Sequence, residues 1–320
     1  MNKQRVLVTA IGTVTATAIV RQLKTSGRYF IIGADINPQS EIATSLDVDM
    51  FCQFPYSDTQ EYIPFVLDFC EQNNVEYYFA VLDKEVVSIS KNANQFARIG
   101  TKLCVANYDF AQACHFKNEF GKWIEAHYPS VAIRHYYDFE SLESAEFPLF
   151  LKPNEGVASA GCEVIGSLDE LREKVDAESI GGSFVVQDYI QGENVTVDCV
   201  RNRKTGQTRF AQRIELLRNS NGCGIAVKTF EDPALESICE DLVNTLDLNG
   251  IANIELFKTS KGYKVIEINP RFSAGTTFTC MAGLDTVRNA ILIAEGLPCE
   301  FSEFSVGACF AERYEAYRLA

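Results

Sequence analysis

Two glutamates near the end of the sequence could bind a divalent cation, because a hairpin would bring them face to face. The segments NIELF and YKVIEINP are joined by KTSKG, whose glycine suits a tight turn. If the segments pair antiparallel about Lys261, Glu255 faces Glu267 and Asn253 faces Asn269. Two carboxylates directly opposite each other on a sheet repel, and burying either without a partner costs still more.

A hard cation would remove that repulsion. Mg²⁺ prefers oxygen ligands and keeps water and substrate phosphates in its shell, so Glu255, Glu267 and the amide oxygen of Asn269 would suit it. Arg271 follows two residues later, where its guanidinium could bind phosphate oxygens in bidentate fashion. A solvated sheet face explains the same glutamates without a metal, and the hairpin alone leaves both interpretations open. Apolar and polar residues alternate along both strands. This alternation predicts that the face opposite the glutamates packs against the core and is formed by Ile254, Leu256, Ile266 and Ile268.

A lysine followed by small residues is a second candidate site. In FPLFLKPNEGVASAGCE, Lys152 ends an apolar strand, and the small residues after it are Gly156, Ala158, Ser159, Ala160 and Gly161. Small residues let backbone N–H groups approach phosphate oxygens, while the lysine supplies a compact positive charge. The order differs from that of a Walker A loop, in which the lysine follows the glycines. A hairpin loop that binds nothing is the alternative.

The segment SFVVQDYIQGENVTVD carries polar side chains on an apolar background. It predicts a strand, a turn at Gly192 and a second strand, with Gln187, Asp188 and Glu193 at polar positions. Its backbone could recognise the edge of a base, and Glu193 could accept hydrogen bonds from ribose hydroxyls. An ordinary hairpin explains the same pattern.

Two arginines lie just before the glutamate hairpin. Arg213 and Arg218 precede the loop NSNGCG, residues 219–224. Our hypothesis is that this stretch borders the pocket of an acceptor substrate and that one arginine pairs with a substrate carboxylate. A solvated strand and loop is the alternative, and an unchanged KM for the acceptor in both alanine variants would favour it.

The first 105 residues alternate strands and helices, which predicts a doubly wound parallel sheet. Strands are expected in RVLVTA, YFIIGAD, VEYYFAVLD and KLCVA, and helices in ATAIVRQLKTSG, TQEYIPFVLDFCEQNN and KEVVSISKNANQFARIG. Gly12 after the first strand and Asp35 at the end of the second suggest a dinucleotide site. The G-x-G-x-x-G fingerprint is absent, however, because no glycine follows Gly12 at the required positions. We therefore expect a Rossmann-like scaffold without a dinucleotide.

From about residue 106 the pattern changes to α+β with antiparallel strands. One helix is expected over DFAQACHFKNEFGKWIEAHY, and strands over FPLFLKP, SFVVQDYI, VTVDCVRN, TRFAQRIE, IANIELF and YKVIEINP. The segment 105–108 is the best boundary. It divides the chain into domains at residues 1–106 and 107–320.

The composition is that of a soluble globular protein, since 47% of the 320 residues are hydrophobic and 22% are charged. The formal net charge of -14 argues against non-specific binding to nucleic acid or to anionic membranes. The 11 cysteines include no C-x-x-C pair, which favours buried thiols in a reducing compartment over disulfides or zinc. No segment approaches the ~20 apolar residues of a membrane span. The first twenty residues fit a strand and helix better than a secretory signal, so we expect a cytoplasmic protein.

Taken in order, these motifs resemble the ATP-grasp superfamily over nearly the whole chain. The resemblance rests on the Rossmann-like first domain, Lys117, Lys152 with NEGVASAG, VVQDYIQGE, and NIELF with VIEINPRFSAG. The stretches VLVTAIGTVTATAIVRQL and GADINP are similar to the carbamoyl-phosphate synthetase large-subunit type. The implied fold is a Rossmann-like α/β domain followed by a two-lobed ATP-grasp domain with antiparallel sheets. Its lid subdomain would span about 115–186.

The resemblance also implies a role for each site residue. The implied ATP-binding residues are Lys117, Lys152, Ser159, Ala160, Gly161, Gln187, Asp188, Tyr189, Ile190 and Glu193. Among them the lysines would contact phosphates, the small-residue loop would fold over the phosphates, residues 188–190 would meet the adenine, and Glu193 would meet the ribose. The implied ligands of one or two Mg²⁺ ions, with Mn²⁺ as an alternative, are Glu255, Glu267 and Asn269. The implied catalytic residues are Arg271, Lys152 and Arg213.

A protein of this kind would phosphorylate a carboxylate with ATP and join the acyl phosphate to an amine or a similar nucleophile. The expected partners are ATP and a small carboxylate or amino acid, with no nucleic acid and no membrane, and a homodimer stays open. Two alternatives remain: carbamoyl-phosphate-synthetase-like activity on bicarbonate or carbamate, and a nucleotide-binding module without turnover. A nicotinamide-dependent oxidoreductase is disfavoured by the missing glycines.

Overall fold

The N-terminal part of the chain is a parallel sheet flanked by helices. The computed structural model describes residues 3–155 and 161–319. The elements of the first part are β1 (Gln4–Val8), α1 (Val14–Ser26), β2 (Tyr29–Asp35), β3 (Met50–Gln53), α2 (Tyr62–Gln72), β4 (Tyr77–Phe79), α3 (Asp83–Lys91), α4 (Ala93–Arg98) and β5 (Lys102–Leu103). Two short 3₁₀ helices, Gln39–Glu41 and Ala43–Asp47, lie between β2 and β3. The strand order is β3-β2-β1-β4-β5, and every pair is parallel, as predicted.

Helix α1 begins and ends where its capping residues dictate. The hydroxyl of Thr13 accepts a hydrogen bond from the N–H of Ala16, which satisfies one of the orphan donors at the helix start. At the other end, Gly27 adopts the left-handed conformation that stops many helices. The start of α1 therefore lies at the carboxyl end of β1, the edge of a parallel sheet at which ligands usually bind.

The middle part carries a small antiparallel sheet. Its elements are α5 (Tyr108–His115), α6 (Lys117–His127), β6 (His135–Tyr136), α7 (Phe139–Leu142), β7 (Leu149–Pro153), β8 (Glu163–Ile165), α8 (Leu168–Lys174) and β9 (Phe184–Asp188). The strand order is β6-β9-β7-β8, and all three pairs are antiparallel. Lys152 and Gln187 therefore lie on adjacent strands.

The last part is built on a larger antiparallel sheet. Its elements are β10 (Glu193–Asn202), β11 (Gln207–Arg218), β12 (Gly224–Phe230), α9 (Pro233–Thr245), β13 (Gly250–Thr259), β14 (Gly262–Asn269), α10 (Thr276–Met281), α11 (Thr286–Glu295) and β15 (Cys309–Ala311). The strand order is β14-β13-β10-β11-β12-β15. The parallel first sheet and the two antiparallel sheets confirm the predicted fold class.

Two predicted helices are each divided in two. The helix expected over residues 84–100 breaks at Asn92, between α3 and α4, and the helix expected over residues 109–128 breaks at Phe116, between α5 and α6. Phe116 has extended backbone angles, φ -96 and ψ 121, so the chain turns there. The break makes Lys117 the first residue of α6 instead of a residue in mid-helix.

A continuous apolar cluster joins the first sheet to the last part of the chain. It contains Val8 and Ile19 of the N-terminal part together with Phe272, Leu284 and Ile291. Burial of this kind of apolar surface stabilises one relative arrangement of the two parts. Within the described residues, no helix is long and apolar enough to cross a membrane.

Candidate active site

The glutamate hairpin forms in the predicted register at the end that carries the glutamates. Glu255 pairs with Glu267 and Asn253 pairs with Asn269 across β13 and β14. The turn is one residue tighter than predicted, and a β-bulge next to Glu255 compensates for the difference. The two carboxylates therefore occupy directly opposed positions on neighbouring strands.

The bulge changes which residues face the core. Ile254, Leu256 and Ile268 are buried as predicted. The prediction for Ile266 is wrong, because Val265 pairs with Leu256 and takes the core position, at 2% exposure. Ile266 is only partly buried and lines the cavity beside Glu267.

The two opposed carboxylates share one hydrogen-bond donor. Nδ2 of Asn269 donates to Oε1 of Glu255 and to Oε1 of Glu267, at 3.3 Å in each case. Burial, and after it the charges of Glu267 and Glu215, raise the pKa of the Glu255 carboxyl to about 7. The charges of Arg218 and Arg271 lower the pKa of Glu255 but do not offset burial and the repulsion from the other carboxylates.

These residues fit a divalent cation. Two facing carboxylates supply oxygen ligands, and a bound cation would relieve the repulsion that raises the pKa of Glu255. The amide oxygen of Asn269 accepts a hydrogen bond from Nη2 of Arg271 at 3.2 Å. The side-chain amide therefore has to flip by about 180° before this oxygen can act as a third metal ligand. Among the described residues no group of three or more His, Cys, Asp or Glu side chains is arranged so that it could hold a metal ion without other ligands. Phosphate oxygens and water would have to complete the shell.

The stability of the metal-free protein should fall as pH rises from about 4 to 7 and then level off, because of Glu255. Its folded-state pKa of about 7 lies above the unfolded value of ~4.3, so the folded state binds the extra proton in this range. Glu255→Gln should remove this loss. The advantage of the variant over the wild type should grow from about 1 kcal/mol of unfolding free energy at pH 5 to about 4 kcal/mol at pH 8.

Urea denaturation in EDTA at pH 5, 6, 7 and 8 measures this difference. Glu231→Gln is a matched control, because Glu231 is exposed and lies outside the cavity wall. A stability difference between Glu255→Gln and wild type that is independent of pH would contradict the assignment.

Two lysines face the carboxylate pair from the middle part of the chain. Lys152 is 4% exposed on β7, and burial lowers the pKa of its ammonium group, although the nearby Glu267 carboxylate opposes that shift. Nζ of Lys117 lies 3.9 Å from Oε2 of Glu267. Two cations and two carboxylates thus converge across the gap between the two antiparallel sheets.

Arg271 is oriented by a residue from the N-terminal part of the chain. Nε of Arg271 donates to both oxygens of Asp83, at 3.0 and 3.1 Å, and Nη1 donates to the backbone oxygen of Phe272 at 3.2 Å. Nη2 donates to Oδ1 of Asn269, so hydrogen bonds hold the guanidinium on three sides. Asp83 is the first residue of α3, so α3 positions the guanidinium that the sequence assigns to phosphate.

Arg213 is buried in an ion pair. Its Nη1 donates to Oδ2 of Asp198 at 2.7 Å and to the hydroxyl of Thr279 at 3.0 Å, and Nη2 donates to the hydroxyl of Ser273 at 3.0 Å. Oδ1 of Asp198 in turn accepts from the side chain of Asn253 at 3.2 Å. A hydrogen-bonded chain therefore links Arg213 to the strand that carries Glu255.

One cavity of about 540 Å³ contains most of the residues predicted from sequence. Those that line it are Lys117, Lys152, Gln187, Asp188, Tyr189, Ile190, Arg213, Glu255, Glu267, Asn269 and Arg271. Arg218 and residues 221–224 line it too, in the region predicted to hold an acceptor. Gly161 and Glu193 lie outside the cavity wall, and Ser159 and Ala160 lie outside the described residues.

Sequence reasoning missed the part of the wall that comes from the first sheet. The missed residues are Thr13, Val14, Thr15, Val81, Leu82 and Asp83, and Gly12, considered only for a dinucleotide, lies beside them. All of them follow β1 or β4 at its carboxyl end. The rule that ligands bind at the carboxyl edge of a parallel sheet would have indicated these two turns, but not the contact that Asp83 makes with Arg271.

Asp35, the carboxylate considered for the ribose of a dinucleotide, is hydrogen-bonded within the chain. Asp35 is 5% exposed, and its carboxylate accepts from the N–H of Gly12 at 2.8 Å and from the N–H of Asn37 at 3.0 Å. Hydrogen bonds within the chain therefore already occupy both oxygens of this carboxylate.

Comparison with known protein families shows which family this chain belongs to. A family model described as ATP-grasp domain matches residues 114–275, half of the chain, and one described as PylC-like, N-terminal domain matches residues 6–104. The chain belongs to the ATP-grasp family, which confirms the resemblance noted in the sequence.

The curated relatives match a shorter part of this chain than the family model does. The 3-methyl-D-ornithine–L-lysine ligase of Methanosarcina mazei is 25% identical over 132 residues, which cover 41% of this chain and 34% of the relative. The enzyme of the same name from Methanosarcina barkeri is 29% identical over 132 residues, which cover 40% and 34%. The alignments thus span about a third of the length of these relatives.

Solved structures share the fold over almost the whole chain. Biotin carboxylase from Campylobacter jejuni, solved in complex with β-γ-ATP, is 15% identical with a TM-score of 0.77, covering 96% of this chain and 74% of the other. N5-carboxyaminoimidazole ribonucleotide synthetase from Thermotoga maritima is 18% identical with a TM-score of 0.68, covering 96% and 80%. At these identities the likeness shows the fold alone.

Proposed function

We propose that the chain is a cytoplasmic, ATP- and Mg²⁺-dependent ligase. It would phosphorylate a small carboxylate and join the resulting acyl phosphate to an amine or a similar nucleophile. The observation that carries this proposal is the Glu255–Glu267 pair, which faces the cations of Lys117, Lys152 and Arg271 in one cavity. The curated relatives are named as ligases that join two amino acids, which supports an amino acid as one reactant.

Phosphoryl transfer needs charge neutralisation and alignment more than covalent chemistry from the protein. Glu255 and Glu267 would hold Mg²⁺, which neutralises phosphate charge when bound. Lys152 has little solvent around it, so an ATP phosphate would restore the charged state that burial disfavours. Lys117 would bind phosphate on the opposite side, and Arg271 would stabilise the phosphoryl group as it leaves ADP for the substrate carboxylate.

The nucleoside would bind between β9 and the rest of the cavity wall. Gln187 is 2% exposed, and its Oε1 is buried without a hydrogen-bond donor among the described residues. An adenine amino group is a donor that would satisfy this oxygen. Residues 188–190 continue the same wall. Glu193 remains our candidate for the ribose hydroxyls, at the start of β10 next to this wall.

We propose domain boundaries that are consistent with the same helices and strands. The Rossmann-like domain would comprise residues 1–106, the ATP-grasp domain residues 107–320, and the lid subdomain about 115–186. Lys117, Lys152 and the base-binding strand β9 would then come mainly from the lid side, and the metal and Arg271 from the larger sheet.

A screen of ADP release tests the function. Purified protein with ATP and Mg²⁺ is supplied with each of the twenty amino acids, small carboxylates and bicarbonate, singly and in pairs with amines. We expect ADP release that depends on both an acid and Mg²⁺. Stimulation by bicarbonate alone would favour carbamoyl-phosphate-synthetase-like chemistry. Stabilisation by ATP–Mg²⁺ against heat without turnover anywhere in the screen would instead indicate a binding module.

Asp83→Asn should lower kcat about 10-fold and leave the KM for ATP nearly unchanged, because the carboxylate acts through Arg271. The loss should be less than additive with that of Arg271→Lys, since both changes break the same contact. Asp68→Asn is the matched control, because Asp68 is exposed and lies outside the cavity wall. Full additivity, or an effect confined to thermal stability, would contradict a positioning role for Asp83.

A further inference from the structure

A carboxylate in the core of the N-terminal part has no role in the site described above. Glu85, in the first turn of α3, is 1% exposed. Its Oε1 accepts a hydrogen bond from the hydroxyl of Tyr78 at 2.5 Å and another from the hydroxyl of Tyr62. Burial raises the pKa of both tyrosines, and the charge of Glu85 raises it further, so both hydroxyls keep their protons and donate.

A buried carboxylate that is held only by neutral groups is costly. Burial raises the pKa of the Glu85 carboxyl, because the charged form loses its water, and the hydroxyls of Tyr62 and Tyr78 oppose this shift. An apolar side chain would fill the same space without that cost. What the carboxylate adds here is a set of directional hydrogen bonds, which fix the side chains that make them.

The contact between Glu85 and Tyr78 closes the turn that joins β4 to α3. Tyr78 is the middle residue of β4, and Glu85 is the third residue of α3, seven positions later. Leu82, at the N-cap position of α3, makes no side-chain cap. The hydrogen bond from Tyr78 to Glu85 therefore ties the start of α3 directly to the strand before it.

This turn carries the partner of Arg271. Leu82 and Asp83 both line the cavity. Nε of Arg271 donates to both oxygens of Asp83, at 3.0 and 3.1 Å. A displacement of the turn by about 1 Å away from the guanidinium would break both contacts, because hydrogen bonds of this type end near 3.5 Å. The orientation of Arg271 thus depends on where the turn lies.

We propose that the Glu85–Tyr78 contact holds the turn between β4 and α3 in the place from which Asp83 orients Arg271. This inference rests on the proposed ligase function, in which Arg271 stabilises the transferred phosphoryl group. It makes Glu85 and Tyr78 positioning residues of that reaction, since neither of them lines the cavity. Tyr62 donates to the same oxygen from the start of α2, outside the turn, and does not share this role.

Two tyrosine variants separate positioning from a general contribution to stability. Tyr78→Phe and Tyr62→Phe each remove one hydroxyl that donates to Glu85, and both tyrosines are buried. We therefore expect the two variants to lower the melting temperature by similar amounts. Only Tyr78→Phe removes a hydrogen bond that spans the turn, so only this variant should affect Arg271.

Hydrogen exchange of the Arg271 Nε–H with solvent, followed by NMR, measures the contact with Asp83 without any turnover. In protein labelled with ¹⁵N-arginine, the signal of this group is the one that Arg271→Lys removes. We expect Tyr78→Phe to speed its exchange at least about 5-fold and to lower kcat for ADP release about 5-fold, with the KM for ATP within about 2-fold of wild type. Tyr62→Phe should change each of these quantities less than about 2-fold. Equal effects of the two variants, unchanged exchange in Tyr78→Phe, or faster exchange with an unchanged kcat would each overturn the proposal.

A pair of variants at position 85 gives a second test, which is decisive even if Tyr78→Phe fails to fold. Glu85→Gln keeps an oxygen that can accept from both hydroxyls, whereas Glu85→Leu has no acceptor. The Arg271 Nε–H should exchange at least about 5-fold faster in Glu85→Leu than in Glu85→Gln. Equal exchange in these two variants would contradict a positioning role for Glu85.

The ligase function and this inference fail on different results. If an acid stimulates ADP release but Tyr78→Phe changes neither the exchange of the Arg271 Nε–H nor kcat, the ligase function stands and this inference falls. If Tyr78→Phe speeds the exchange but no acid stimulates ADP release by the wild type, Glu85 and Tyr78 do position Arg271 and the ligase function falls instead.

Discussion

Glu267→Gln is expected to reduce ATP turnover by at least about 100-fold, while the metal-free protein becomes more stable. The variant loses one of the two carboxylates proposed to hold Mg²⁺, and with it the oxygen that lies 3.9 Å from Nζ of Lys117. It also loses the charge that helps to raise the pKa of Glu255, so the cost of holding two opposed carboxylates disappears. Opposite changes in activity and stability are the signature of a site built for a cation.

Steady-state ADP formation and urea denaturation in EDTA measure the two effects. Glu231→Gln serves again as the control, because it removes the same charge from an exposed position. A Glu267→Gln variant that folds and keeps full activity would show that the carboxylate pair does not hold the catalytic metal. A variant that loses activity and stability together would indicate a structural role.

Arg271→Lys is expected to lower kcat about 100-fold, with a KM for ATP within a few-fold of wild type. Lysine keeps the positive charge, but one ammonium group cannot replace the contacts to Asp83, Asn269 and Phe272 at the same time. The cation would then shift from the position at which it faces the transferring phosphoryl group. We therefore expect the substitution to slow phosphoryl transfer and to leave ATP binding nearly unchanged.

Single-turnover rates separate these two possibilities. Arg98→Lys is the control, because Arg98 is exposed at the end of α4. If Arg271→Lys raises the KM for ATP strongly and leaves kcat unchanged, Arg271 binds ATP in the ground state and does not stabilise transfer.

The pairing of Glu255 with Glu267 was predicted correctly, although the turn that the prediction used is one residue too wide. The β-bulge next to Glu255 offsets that difference, so the predicted register holds only at the end of the hairpin that carries the glutamates. The bulge could not be predicted, since it inserts one residue without changing the alternation of apolar and polar residues near Glu255 and Glu267. It is the reason that Ile266 faces the cavity and Val265 the core.

The role of Asp83 shows where a single sequence stops being informative. Asp83 lies 188 residues from Arg271, and nothing around it differs from an ordinary helix start. Only the packing of the first sheet against the last part of the chain brings the two side chains together. The start of α1 could be predicted in part. It follows β1, and ligands bind at the carboxyl ends of parallel strands even where the fingerprint glycines are missing. Lys117 was identified by family resemblance, but its place at the start of α6 depends on the break at Phe116.

Trapping the acyl phosphate tests the central claim most directly. Hydroxylamine converts an acyl phosphate to a hydroxamate, so the protein is incubated with ATP, Mg²⁺ and hydroxylamine and with each of the twenty amino acids or small carboxylates in turn. We expect at least one acid to yield its hydroxamate in a one-to-one ratio with ADP, and Glu267→Gln to yield neither. No hydroxamate from any acid, or ADP released at the same rate with and without acid, would contradict a ligase that activates carboxylates.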